Sequence, residues 1–108
     1  MDAALVTLEH QPVADAQIVA GSPSTGVRPL GVAADGGEVG VWEMSPGAMR
    51  DVEGDEVFVV LSGRASVAFA DGRETIELAA GSVVRLEEGA ETVWTVTETQ
   101  RKVYVTPA

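Results

Sequence analysis

Residues 47–63 read GAMRDVEGDEVFVVLSG, and no other stretch constrains the fold as strongly. Residues 57–61 form a continuous apolar run, rich in valine and closed by turn residues. Such a run is too short for a typical helix and fits a strand buried on both faces. Ahead of it, residues 50–55 read as a loop crowded with acids, and Ser62-Gly63 reads as the stop. Glu56 stands at the join, where the loop becomes a strand.

The rest of the chain repeats this alternation of short strands and turns. VGVWEM, residues 39–44, is a strand ahead of Ser45-Pro46-Gly47. Asp71-Gly72 is a pair that suits a two-residue hairpin turn with positive φ. Counting back from it, Phe69 faces Glu74, Val67 faces Ile76 and Ala65 faces Leu78; Ala68 faces Thr75 and Ser66 faces Glu77 on the other side. One face is mostly apolar and the other mostly polar, and a one-residue slip would mix them. Residues 83–86 read as a strand, residues 91–97 alternate with Thr92, Trp94 and Val96 on one face, and residues 101–106 read as a last strand. Short strands at this spacing, without a persuasive helix, predict an antiparallel sandwich or barrel.

Residues 1–37 are less regular. Residues 5–9 and 16–20 read as short strands, although Asp15 offers a cap for a short helix in place of the second. Gln11-Pro12 disfavours a continuous helix across both. Residues 21–26 have loop chemistry, and Asp35-Gly36-Gly37 is a turn.

Composition narrows the function classes. The chain has 108 residues, enough for one domain with a real core, and 45% of them are hydrophobic. There is no cysteine, which removes disulfides, thiol catalysis and zinc-thiolate sites. A net charge of −10 repels phosphate backbones and anionic lipid heads, so neither nucleic acid nor membrane is an expected partner. No apolar run approaches the ~20 residues needed to cross a bilayer, and the first residues lack a signal-peptide pattern. The expectation is a cytoplasmic protein.

From residue 38 to residue 106 the sequence resembles the cupin superfamily. Its first motif has the form G-x5-H-x-H-x(3,4)-E-x6-G, and its second G-x5-P-x-G-x2-H. Glu56 stands at the motif glutamate with Gly63 seven positions later, and Gly81 and Gly89 fall at the glycines of the second motif. VGVWEMSPG, GDEVFVVLSGRASV and TVWTVTETQRKVYV resemble small single-domain cupins related to the ethanolamine-utilisation cupin and the ureidoglycine aminohydrolases. The resemblance implies an all-β, cupin-like double-stranded β-helix, a jelly-roll barrel over residues 38–108. Residues 1–37 would add edge strands, and two copies would pair as a homodimer.

The departures bear on chemistry. Counted back from Glu56, the motif-one histidine positions hold Arg50 and Val52, or Met49 and Asp51 with the longer spacing. The motif-two histidine position holds Thr92, and its proline position Glu87. The single histidine, His10, lies outside both motifs. Glu56 alone does not hold a transition metal, so no metal cofactor is expected. Asp51, Glu53, Asp55 and Glu56 together offer oxygen ligands for a hard cation, with a solvated acidic loop as the plainer reading.

The expected pocket gathers Trp42, Arg50, Glu56, Phe58, Arg85, Thr92 and Trp94 around a small polar molecule. Arg50 and Arg85 are the expected partners of the Glu56 carboxylate, which sits on the face of Phe58 and Val60. Glu56 is also the candidate acid/base if the protein is a small-molecule enzyme of the ureidoglycine or ethanolamine-utilisation type. A structural or regulatory dimer is the third reading. Tyr104 could face the pocket or solvent, and Met44 and Met49 read as packing residues. One histidine so placed offers no Ser/His/Asp arrangement.

Overall fold

The structure, a computed structural model, describes residues 1–108. The strands are β1 (His10–Pro12), β2 (Ile18–Ala20), β3 (Ser24–Val32), β4 (Glu38–Met44), β5 (Gly47–Val52), β6 (Glu56–Phe69), β7 (Ile76–Leu78), β8 (Val83–Leu86) and β9 (Glu91–Thr106). A single 3₁₀ turn, Asp15–Gln17, precedes β2. Every pairing is antiparallel, in the order β1-β3-β4-β9-β5-β2, with β6 bound to β9, β7 and β8. β9 is the spine: one edge pairs with β5 and then β4, the other with β6. The sheet therefore curls round one interior, as a cupin jelly-roll barrel does. Met44, Met49, Phe58, Val67, Leu86 and Trp94 fill that interior.

The long strands bend because β6 slips register against β9 between Val60 and Ala65. Gly63 lies in that irregular stretch at φ +87°, and a Cβ there would overlap the Thr99 carbonyl oxygen. β6 thus runs through Ser62-Gly63, which the sequence reads as a stop. One residue type thought to end the strand instead lets it turn round the barrel.

Other expectations are corrected. The first half of the presumed acidic loop, residues 50–52, belongs to β5, whose register sets Met49 against Trp94 and Asp51 against Thr92. Residues 5–9 form no strand, and residues 24–26, read as loop, open β3. The second leading segment is a 3₁₀ turn followed by a strand, and Asp15 is its first residue, not its cap. Residues 91–97 and 101–106 belong to one strand, β9. The hairpin register holds at Ala65–Leu78, Ser66–Glu77 and Val67–Ile76, but the ladder between the two strands ends there. The turn sits one residue earlier than expected: Gly72 N–H donates to the Phe69 carbonyl at 3.2 Å, and only Gly72 has positive φ. Ala70-Asp71 are its central residues, so the turn is not type I′.

The run in β6 is buried on one face only. Phe58 and Val60 are buried, whereas Val57 and Val59 are 42% and 39% exposed. Val57 lies beside Val105, and Val59 beside Val83, both also exposed. These valines make an apolar stripe on the outside of the sheet. No helix is long and apolar enough to cross a membrane.

The leading segment is tied down by charge. Arg101 Nε donates to Glu43 at 2.8 Å, and its Nη1 donates to the carbonyls of Ala3 and Val6 at 3.0 and 2.6 Å. His10 joins the same carboxylate at 2.6 Å through Nε2 and meets Ser24 Oγ at 2.7 Å through Nδ1. The sequence reading allowed no Ser/His/acid arrangement, yet folding brings Ser24, His10 and Glu43 together; none of the larger pockets opens on them. Burial pushes the Glu43 carboxyl upward, but the bonds from His10 and Arg101 outweigh it and hold the group below its ordinary 4.5. Stabilisation from this carboxylate is therefore present above pH 4.5 and lost as pH falls through the lowered value. Glu43→Gln is expected to cost about 2 kcal/mol near neutral pH. Urea denaturation of both proteins should show that gap narrowing in acid, with faster proteolysis of residues 1–8 in the variant.

Candidate functional site

Alternation along three neighbouring strands builds the site. Trp42 on β4, Lys102 on β9 and Val60 on β6 form one cross-strand row, and Gly40, Tyr104 and Phe58 form the next. Trp94 lies farther along β9 on the same inward face. A side chain at position 40 would overlap the Tyr104 ring, so glycine there makes room for the phenol.

Lys102 is the centre of this arrangement. Its side chain is 6% exposed, and its Nζ lies 4.3 Å from the Phe58 ring centre, 4.5 Å from Trp42 and 4.7 Å from Trp94. Each ring face carries negative potential and stabilises an ammonium within about 6 Å. The ammonium donates to Glu56 Oε2 at 2.6 Å. The expectation that Arg50 or Arg85 meets Glu56 is therefore corrected to Lys102. The signal was available: Thr92, Trp94, Val96, Lys102 and Tyr104 are all even-numbered, and a single strand puts them on one face. Reading β9 as two strands hid it.

Glu53 braces the wall. Its Oε2 accepts from Thr92 Oγ1 at 2.6 Å and from Trp94 Nε1 at 2.9 Å. Tyr104 donates its hydroxyl to Glu38 at 2.7 Å. Burial, then the Glu38 bond, push the Tyr104 phenol well up, so it stays a neutral donor. Burial and the neighbouring Glu53 raise the Asp51 carboxyl. Asp51, Glu53 and Tyr104, with Trp42, Glu56, Trp94, Lys102 and Val27 from β3, line a pocket of about 210 Å³.

Of the residues expected there, Trp42, Glu56 and Trp94 line the pocket. Phe58 lies directly beneath the Lys102 ammonium, and Thr92 holds Glu53. Arg50 does not join them: it sits on the outward face of β5, bonded to the Ala16 carbonyl, and lines an open groove of about 640 Å³ that shares only Asp51 with this pocket. Arg85 is exposed and faces Glu87 at 3.6 Å. The sequence missed Lys102, and it read Asp51 and Glu53 only as possible cation ligands.

A cupin metal centre does not fit these residues. Strand alternation selects the longer motif spacing, so Met49 and Asp51 hold the inward histidine positions and Thr92 the third. Glu56, the remaining ligand position, already has an ammonium at 2.6 Å. No three of the chain's His, Asp or Glu side chains converge as a metal site requires.

Residues 32–104 match the family model for the EutQ-like cupin domain. The chain belongs to this family. Its fold aligns with a Rhizobium leguminosarum protein of unknown function at TM-score 0.68 and 26% identity, covering 77% of this chain and 80% of that one. The EutQ protein of Clostridium difficile aligns at 0.67 and 17% identity over 79% and 68%. A Pseudomonas syringae protein of unknown function aligns at 0.78 and 23% identity over 94% of this chain and 44% of that one. No curated protein sequence matches the chain.

Removing one member of a buried ion pair leaves the other desolvated and unpaired, at about 3–5 kcal/mol. Lys102→Met is expected to fall in that range, and Lys102→Met with Glu56→Gln to recover more than half of it. A double-mutant cycle by chemical denaturation measures the coupling.

Proposed function

We propose that this EutQ-like cupin binds a small polar molecule in the barrel pocket without a metal. The observation that carries the reading is the Lys102 ammonium, seated on three aromatic rings and against Glu56 beside the pocket. The aromatic walls and the few placed polar groups are the usual make-up of a small-ligand site. Binding is favoured over acid–base chemistry at Glu56, because that carboxylate is held by an ammonium.

A thermal-shift screen of small amines, carboxylates, ureides and sugars tests this. At a hundredfold excess over Kd a ligand of the folded state adds about 2.7 kcal/mol. At least one class should raise the melting temperature, and Trp94→Ala should abolish the rise. A flat response across all classes would sink the reading.

The binding unit is proposed to be a homodimer joined through the valine stripe. Four exposed valines lie side by side in a chain of net charge −10, and an identical valine face can cover them without bringing acids together. Light scattering should give twice the chain mass, and Val59→Lys should return the monomer.

A further inference from the structure

Resting on that reading of the pocket, we infer that its ligand is a small organic cation, carrying a primary ammonium or guanidinium group. Three carboxylates line the pocket, from Asp51, Glu53 and Glu56, against one cation, Lys102. Lys102 is committed to Glu56. Glu53 is fixed by two neutral donors, Thr92 and Trp94, which orient the carboxylate and leave its charge uncancelled. Asp51 forms no ion pair; its Oδ1 accepts only from the Val52 N–H at 2.8 Å.

Two carboxylates therefore lack an ion-pair partner, and burial, then the neighbouring Glu53, push the Asp51 carboxyl upward, with Lys102 offsetting this only in part. A cation entering the pocket relieves that repulsion. An anion would add to it, and a neutral molecule would leave it in place. The indoles point the same way: Trp42 and Trp94 line the pocket and already hold one ammonium, that of Lys102, at 4.5 and 4.7 Å. These walls favour positive charge. Arg50 and Arg85, which would have evened the balance, do not line this pocket.

The test uses three probes of one size and different charge: n-butylammonium, n-butanol and n-butyrate. Each is titrated into the full chain while the indole N–H signals of Trp42 and Trp94 are followed by NMR. The ammonium should give saturable shifts, with at least tenfold weaker binding of the other two. Asp51→Asn, which keeps the acceptor for Val52, should weaken the ammonium at least tenfold. Glu77→Gln, an exposed acid outside the pocket, should not. Affinity should also fall as pH drops through the Asp51 titration. Equal binding of butanol, preference for butyrate, or an unchanged affinity in Asp51→Asn would overturn the inference and leave a small-molecule pocket standing. If no probe moves either indole and the polar-molecule screen is also flat, the binding reading itself falls.

Discussion

The barrel interior is arranged around one buried charge, the ammonium of Lys102. Taking such a group out of water costs several kcal/mol unless charge and polarisable surface replace the lost hydration. Glu56 supplies the charge, and Phe58, Trp42 and Trp94 supply the surface. These partners come from three strands, so the ammonium is satisfied only when β4, β6 and β9 are in register. An aliphatic residue would fill the space with less strain on the energy balance. It would also tolerate slipped pairings that an unpaired ammonium makes costly.

β9 makes this arrangement possible. It pairs along its length with β6 on one side and with β5 and β4 on the other. Consecutive side chains on it point to opposite faces, so Arg101 reaches outward to Glu43 and the carbonyls of Ala3 and Val6, while Lys102 reaches inward to Glu56. Two adjacent residues thus fasten two layers: the leading segment outside and the pocket inside. Gln100, two residues before Lys102, is fully buried, and neither of its amide atoms has a hydrogen-bond partner within the chain.

Much of the fold was legible because turn residues and two-residue alternation are local signals. Glu56, Gly63, Gly81 and Gly89 marked the cupin spacing, and the pairs Ala65–Leu78 and Val67–Ile76 emerged from counting alone. What was lost depended on tertiary context. Nothing local distinguishes Ser62-Gly63 as a bend from Ser62-Gly63 as an end; the Thr99 carbonyl packed against Gly63 decides it. A wall of acids at residues 51–56 reads as solvated loop until β9 pairs with β5 and turns Asp51 inward. Arg50 and Arg85 were the expected partners of Glu56, whereas Lys102, 46 positions away in sequence, is the cation near it in space.

The pairing of Lys102 with Glu56 also sets what it would take to make this pocket hold a metal. Histidines acquired at positions 49, 51 and 92 would surround a carboxylate whose coordinating oxygen already faces an ammonium. Electrostatic repulsion would keep a divalent ion out until Lys102 itself was replaced. That replacement, made first, strands Glu56 in an aromatic wall. Histidines alone would therefore not turn this pocket into a metal site.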